Sequence, residues 1–143
     1  MNPIEARIVD FDGYLRWMND AGPYLDFLME SRDHSMALIP HPDSVARLAA
    51  IESFTFLWHF DDQIADLFLL LATQDSNNAV RYTATGSLML MHLRCKHSSD
   101  RAKLEMMLGI IVRSSYHIRE LVIDVEEYLK IMGTSTLSES EED

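Results

Sequence analysis

The segment from Asp62 to Leu93 places the strongest constraint on what this chain can fold into. Two stretches carry apolar side chains at intervals of three and four residues, and this spacing puts those side chains on one face of a helix. Between the two stretches, the five consecutive polar residues from Gln74 to Asn78 suit a tight turn and supply an N-cap for the second helix. The segment therefore predicts an antiparallel helical hairpin.

The same helical spacing recurs on both sides of this hairpin, and no stretch shows the alternation expected of a strand. Pro40 and Pro42 bracket a loop, after which Asp43 or Ser44 is placed to cap a helix that runs to about His59. The apolar stripe of that helix is wide, so we expect the helix to lie near the centre of the protein. We predict an all-α fold of six to seven helices, built as stacked antiparallel hairpins or as an irregular bundle.

Two segments at the ends of this pattern are less regular. A helix expected from Pro23 to about Arg32 would bury three apolar side chains: Leu25, Leu28 and either Phe27 or Met29. Gly133 is placed to stop the last helix, and the TSTLSESEED segment after it has the composition of a disordered acidic tail. The sequence thus predicts one helical domain over 1–133 and a tail over 134–143.

A period of about 34 residues relates two of the expected helices. When the sequence is shifted by that amount, the helix that begins at Ala46 overlies the helix that begins at Val80, and an arginine, an alanine and a serine coincide. A period in this range is typical of stacked helical pairs, none of which can bury its apolar face alone.

The central hairpin resembles a HEAT or armadillo-type repeat, whose usual form has an Asp in the turn and V-R-x-x-A at the start of the second helix. Asp75 stands six residues before Arg81, and residues 80–84 read VRYTA. The resemblance implies a stack of helical pairs that offers an extended surface. His41 and Arg113 occupy the place of the turn Asp in the neighbouring units, so the sequence does not predict a ladder of Asp–Arg pairs between units.

The charge of the chain is unevenly distributed. Of the formal net charge of −11, residues 1–80 carry −9, from four Lys or Arg and thirteen Asp or Glu, whereas residues 81–133 carry +2. An acidic half repels the phosphate backbone of nucleic acids and attracts a basic protein. The single cysteine, and the lack of a signal peptide or of an apolar run of roughly 18 residues, predict a cytoplasmic protein without membrane association.

The clearest candidate for a catalytic metal site is the cluster of Asp61, Asp62 and Asp66. It resembles the aspartate-rich motif of class I terpenoid synthases, in which clustered carboxylates hold Mg²⁺, and Asp62 and Asp66 would share one helix face. That fold needs a much longer chain, and its second metal-binding motif is missing here. Helix capping by Asp61 and Asp62, with Asp66 in the first turn, is the favoured interpretation. No histidine pair has zinc-ligand spacing, so we expect no metal, no cofactor and no catalytic residue.

We therefore expect a non-catalytic protein-binding module, most concretely an acidic inhibitor or immunity-type protein that covers a basic toxin such as a nuclease. The candidate partner-binding residues are six carboxylates: Asp26, Glu30, Asp33, Asp61, Asp62 and Asp66. A general helical-repeat scaffold is the alternative, followed by a reduced terpenoid-synthase-like enzyme that uses the aspartate cluster. The sequence does not indicate an oligomeric state.

Overall fold

The computed structural model describes residues 11–58 and 61–142, with side chains over 15–58 and 61–132. These residues form helices and no strand, which confirms the all-α prediction. The α-helices are α1 (Phe11–Ala21), α2 (Leu25–Glu30), α3 (Arg32–Leu38), α4 (Ser44–Phe56), α5 (Asp62–Gln74), α6 (Asn78–Arg94), α7 (Ser98–Ser114) and α8 (Arg119–Glu142). A 3-10 turn over Gly22–Tyr24 joins α1 to α2.

Four of these helices begin where the sequence supplies a capping side chain. The caps of α3, α4, α5 and α6 are Ser31, Asp43, Asp61 and Asn77, each accepting a hydrogen bond of 2.9 to 3.2 Å from a backbone N–H of the first turn. Such a cap stabilises a helix by about 1 kcal/mol because it satisfies an N–H that has no partner inside the helix. The caps predicted for α4 and for the turn before α6 are confirmed.

The later helices form three hairpins that lie side by side: α3 with α4, α5 with α6, and α7 with α8. Helix α6 contacts both α4 and α8, and α5 contacts α7, so like helices of neighbouring hairpins stack on each other. Helices α1 and α2 pack against α4. Stacking is required because each hairpin leaves an apolar face that a neighbour must cover.

Helix α6 is the centre of the core because it contacts α4, α5, α7 and α8. Its buried residues lie on every side of the helix, and Val80, Ala84 and Leu88 are fully covered. The sequence had favoured α4 as the central helix, and α4 does contact α1, α2, α3 and α6. It ends at Phe56, and His59, to which it was expected to run, lies outside the described residues.

The segment from Pro23 to Leu38 contains two short helices, whereas the sequence predicted one helix from Pro23 to about Arg32. Ser31 has extended backbone angles and ends α2 after six residues, while its hydroxyl caps α3. A helix this short buries only one face, so Leu28 is covered, whereas Phe27 and Met29 are 39% and 44% exposed. The prediction that Met29 or Phe27 is buried is therefore wrong.

The last helix also differs from expectation, since α8 continues through Gly133 to Glu142. The structure thus places most of the predicted disordered tail, 134–143, in a helix, and Asp143 lies outside the described residues. A glycine inside a helix costs only about 1 kcal/mol relative to alanine, so Gly133 weakens the helix without ending it.

Two arginines that lie 34 residues apart connect successive hairpins. Arg47 at the start of α4 donates from Nε and Nη2 to the Asp75 carboxylate, in the turn of the next hairpin, at 2.8 and 2.9 Å. Arg81 at the start of α6 donates to Ser115 Oγ, after α7, at 2.7 Å and to Ala72 O at 3.0 Å. One Asp–Arg pair between units therefore exists, although the sequence did not predict it.

Within the part of the chain that the structure describes, no helix combines the length and the apolar character needed to cross a membrane.

Candidate functional site

The aspartate cluster lies at the start of α5, where Asp61 has two roles. Its Oδ1 accepts a hydrogen bond from the backbone N–H of Ile64 at 2.9 Å, which confirms it as the N-cap. Its Oδ2 forms an ion pair with Arg32 of α3, whose guanidinium also lies 5.5 Å from the centre of the Phe54 ring. Asp61 therefore holds α5 against α3, and its charge is balanced by an arginine.

Asp62 and Asp66 share a face of α5 as their spacing predicted, and both are exposed. The prediction that Asp62 is a cap and Asp66 lies in the first turn is wrong, because α5 begins at Asp62, which puts Asp62 in the first turn and Asp66 beyond it. The cation between them is Lys103 of α7, whose Nζ lies 3.7 Å from Asp62 Oδ1 and 3.8 Å from Asp66 Oδ1. Among the described residues, no group of three His, Cys, Asp or Glu side chains could hold a metal ion. The two carboxylates are therefore placed to attract an ammonium group across the α5–α7 contact.

The other three candidate carboxylates lie on α2 and α3, and all are exposed. Glu30 Oε2 is 3.1 Å from Nδ1 of His34, and the same nitrogen is 3.1 Å from the backbone oxygen of Phe27. Since both partners only accept hydrogen bonds, Nδ1 of His34 carries a proton. Within the described residues Asp26 and Asp33 form no ion pair, so their charges face solvent.

Two exposed apolar side chains lie close in the chain to these carboxylates, and neither was predicted as a site residue. The Phe27 ring lies parallel to the His34 ring, with their centres 4.1 Å apart. Met29 is also exposed on α2. We name the set of Asp26, Phe27, Met29, Glu30 and Asp33 the α2–α3 face. The early cap at Ser31 is the only local signal that could have shown these apolar side chains to be exposed.

The six predicted residues do not form one continuous acidic surface. Arg32 pairs with Asp61 between the α2–α3 face and the start of α5, and Lys103 stands between Asp62 and Asp66. Asp26 and Glu30 are thus exposed four residues apart on α2, and Asp33 is exposed in the first turn of α3, whereas the aspartate cluster lies in a second, partly neutralised region. A pocket of about 280 Å³ adjoins this second region and is lined by both charged and apolar side chains of α5, α6 and α7.

A buried polar cluster joins α6, α7 and α8. His92 is fully covered, with Nε2 3.0 Å from Glu105 Oε1 and Nδ1 2.7 Å from the hydroxyl of Tyr128. The Glu105 carboxylate accepts from Nε2–H, and the Tyr128 hydroxyl has His92 Nδ1 and the Met89 carbonyl oxygen within reach. Burial raises the pKa of Tyr128 well above its usual value. Because His92 and Tyr128 are enclosed, the cluster fixes three helices and is not placed to act on a ligand.

Comparisons of the chain with protein-family models, with curated proteins and with solved structures gave no match.

Proposed function

We propose that the protein is a non-catalytic binding module that recognises a basic protein through its α2–α3 face. The most concrete form of the proposal is a cytoplasmic inhibitor or immunity-type protein that neutralises a basic toxin, such as a nuclease, by covering it. The observation that carries the proposal is the placement of exposed Phe27 and Met29 among Asp26, Glu30 and Asp33.

Protein-binding surfaces combine apolar anchors with polar groups. On the exposed side of α2, Asp26 and Glu30 lie between Phe27 and Met29, so this side of the helix carries both kinds of group. Aromatic side chains commonly supply a large part of the binding energy when a partner covers them. Phe27 is already held against His34 by ring stacking, and Glu30 in turn holds His34. A side chain fixed before binding loses little conformational entropy on binding, which favours affinity.

The charges of the face would act mainly on the rate of encounter. Asp26 and Asp33 are exposed and form no ion pair within the described residues, and residues 1–80 together carry −9. Exposed charges of one sign accelerate association with an oppositely charged protein, and salt screens this acceleration. A basic partner fits this field, whereas nucleic acid is repelled by it.

A general scaffold is the second candidate, and a separate observation favours it. Leu70 on α5 and Met106 on α7 are 50% and 62% exposed, on two helices that contact each other. Apolar side chains exposed away from the α2–α3 face would give the stacked hairpins a second binding surface. A scaffold of this kind would bind two proteins at once, and an inhibitor would not need to.

The test begins with capture of partners from the native host, followed by association rates of the purified pair at low and high salt. Reversal of two charges of the α2–α3 face, Asp26→Lys with Asp33→Lys, should lower the association rate about tenfold and weaken its salt dependence. Phe27→Ala should leave that rate nearly unchanged and raise the dissociation rate, at a cost of about 2 kcal/mol or more in affinity.

The matched control is Glu126→Lys with Glu127→Lys, which makes the same charge change at exposed positions of α8. This control should alter the association rate much less than the reversal of Asp26 and Asp33 does, because Glu126 and Glu127 lie on another helix. An acidic partner, or an association rate that responds equally to both pairs of reversals, would contradict the proposal. Loss of binding through Leu70→Ala and Met106→Ala, with Phe27→Ala neutral, would favour the scaffold instead.

A further inference from the structure

A second pocket, of about 290 Å³, lies between α1, α4 and α6. Its wall includes two carboxyl groups, Glu52 of α4 and Asp20 of α1. None of these helices carries any of the six candidate partner-binding carboxylates. The pocket is therefore independent of the α2–α3 face and of the function proposed for that face.

The pocket contains a buried hydroxyl that has no partner. Thr55 lines the pocket with its residue only 9% exposed, and its Oγ1 makes no hydrogen bond within the described part of the chain. Buried polar atoms in folded proteins nearly always have a partner, because leaving one unsatisfied is costly. A hydroxyl of this kind, on a residue of the pocket wall, is therefore a candidate partner for a ligand atom.

The Glu52 carboxyl group of the pocket lacks sufficient positive charge around it. Burial, and then repulsion from Asp20, raise the pKa of Glu52 to about 7, against a smaller opposing effect of Arg16. Among the described residues, the other charged and titratable side chains that line the pocket with Glu52 are Arg16 and Asp20 from α1 and Tyr82 from α6. A bound cation would favour the ionised carboxylate and relieve its repulsion from Asp20.

The geometry points to an alkylammonium group as the ligand of this pocket, with Glu52 and Asp20 as its charge partners and Thr55 Oγ1 as a third acceptor. An ammonium group carries three N–H donors and no acceptor, which matches three oxygen acceptors. Phe56 and Tyr82 line the same pocket.

Two other ligand classes fit the pocket less well. A divalent metal ion needs several oxygen ligands, and no group of three His, Cys, Asp or Glu side chains is placed for one among the described residues. An anion would face two carboxyl groups, with Arg16 as the one cation that the described residues place in the wall. The alkylammonium group can belong to a free amine or to a lysine side chain of another protein.

The probe for the test is n-butylammonium, followed by NMR through the backbone amide signals of α4 and α6. We expect saturable shifts centred on Glu52, Thr55, Thr83 and Ser87, and no saturable shifts with n-butanol, which has the same chain without the charge. Glu52→Gln keeps the shape of the side chain and should weaken binding at least about tenfold. Thr55→Val should weaken it several-fold, and both spectra report whether the variant is folded.

Substitution of Arg16 provides a matched control that should change the binding affinity in the opposite direction. Arg16 is exposed and its charge competes with the ligand, so Arg16→Gln should strengthen n-butylammonium binding while Glu52→Gln weakens it. A merely structural role of the two residues would not move affinity in opposite directions.

The pH dependence supplies a further readout. Binding requires ionised Glu52, so a pKa of about 7 predicts that affinity rises about tenfold between pH 6 and pH 8. The rise should disappear in Glu52→Gln. Nα-acetyl-lysine amide distinguishes the two possible sources of the alkylammonium group. If it binds as tightly as n-butylammonium, the natural ligand is a lysine side chain of a protein; if it binds much more weakly, the natural ligand is a free amine.

The proposal is overturned if n-butylammonium produces no saturable shift, or if Glu52→Gln binds as well as the unmodified protein. These outcomes would not contradict the function proposed for the α2–α3 face, because the variants that test that function lie on other helices and binding of its partner is measured separately.

Discussion

Removal of the Asp75 carboxylate should destabilise the fold more than removal of any exposed acid. Asp75 and Arg47 are 5% and 12% exposed and form two parallel N–H to O bonds at 2.8 and 2.9 Å. Asp75 Oδ1 also accepts the backbone N–H of Asn77 at 2.8 Å. The carboxylate thus holds the turn between α5 and α6 and connects it to the start of α4.

The magnitude follows from what Asp75→Ala leaves behind. Removing one partner of a buried ion pair costs roughly 3–5 kcal/mol, because the remaining charge is buried without compensation. Arg47 would keep Nη1 bonds of 2.9 Å to the carbonyl oxygens of His41 and Pro42, which places the cost at the lower end of that range. The lost bond from Asn77 adds about 1 kcal/mol. We expect a total of about 3–4 kcal/mol.

Urea unfolding measures this loss directly. With a dependence of about 2 kcal/mol per molar urea, a loss of 3 kcal/mol lowers the midpoint by about 1.5 M. The control is Asp62→Ala, because Asp62 is 81% exposed and 3.7 Å from Lys103. An exposed pair of this kind contributes at most about 1 kcal/mol.

A double-mutant cycle identifies the pair as the cause. The variant Arg47→Met with Asp75→Leu replaces two buried charges by apolar side chains, so it should be more stable than Asp75→Leu alone, with a coupling of about 2 kcal/mol. Equal midpoints for Asp75→Ala and Asp62→Ala would refute the reasoning. Strictly additive losses in the cycle would show that the two side chains do not interact in solution.

Three further predictions concern packing, pH and metal binding. Ala84 is fully buried, so Ala84→Leu should overpack the α5–α6 hairpin and cost about 1–3 kcal/mol by urea unfolding, whereas a neutral result would place Ala84 at the surface. The pKa of Glu52 is raised from 4.5 to about 7, so its contribution to stability is full below pH 4.5 and is lost as the pH rises through 7. Glu52→Gln should therefore flatten the stability profile over this range and stabilise the protein at pH 8 by about 2 kcal/mol; an unchanged profile would contradict the burial of this carboxyl. Calorimetry with Mg²⁺ should show no stoichiometric binding in the micromolar range at Asp61, Asp62 and Asp66, because Arg32 and Lys103 already pair with them; saturable binding abolished by Asp62→Asn would revive the enzyme hypothesis.

The candidate site was predictable from the sequence only in part. The sequence identified Asp26, Glu30 and Asp33 as exposed, because they lie opposite the apolar positions of a helical pattern. It did not identify Phe27 and Met29, since whether an apolar side chain of a short helix is covered depends on which neighbouring helix reaches it. The pocket between α1, α4 and α6 could also not be predicted from the sequence, because its walls come from three segments far apart in the chain.

The sequence by itself determined the all-α class, the hairpin of α5 and α6, a cap at Asp43 or Ser44 and a second cap within residues 74–78; the structure assigns these caps to Asp43 and Asn77. These features depend on the spacing of apolar side chains and on hydrogen bonds within one helical turn, so they can be read locally. Only the tertiary structure decided that Asp75 pairs with Arg47, 28 residues away, and not with Arg81, six residues away. That choice depends on how far each hairpin is shifted and rotated against the next, and this geometry is set by the packing of whole helix faces.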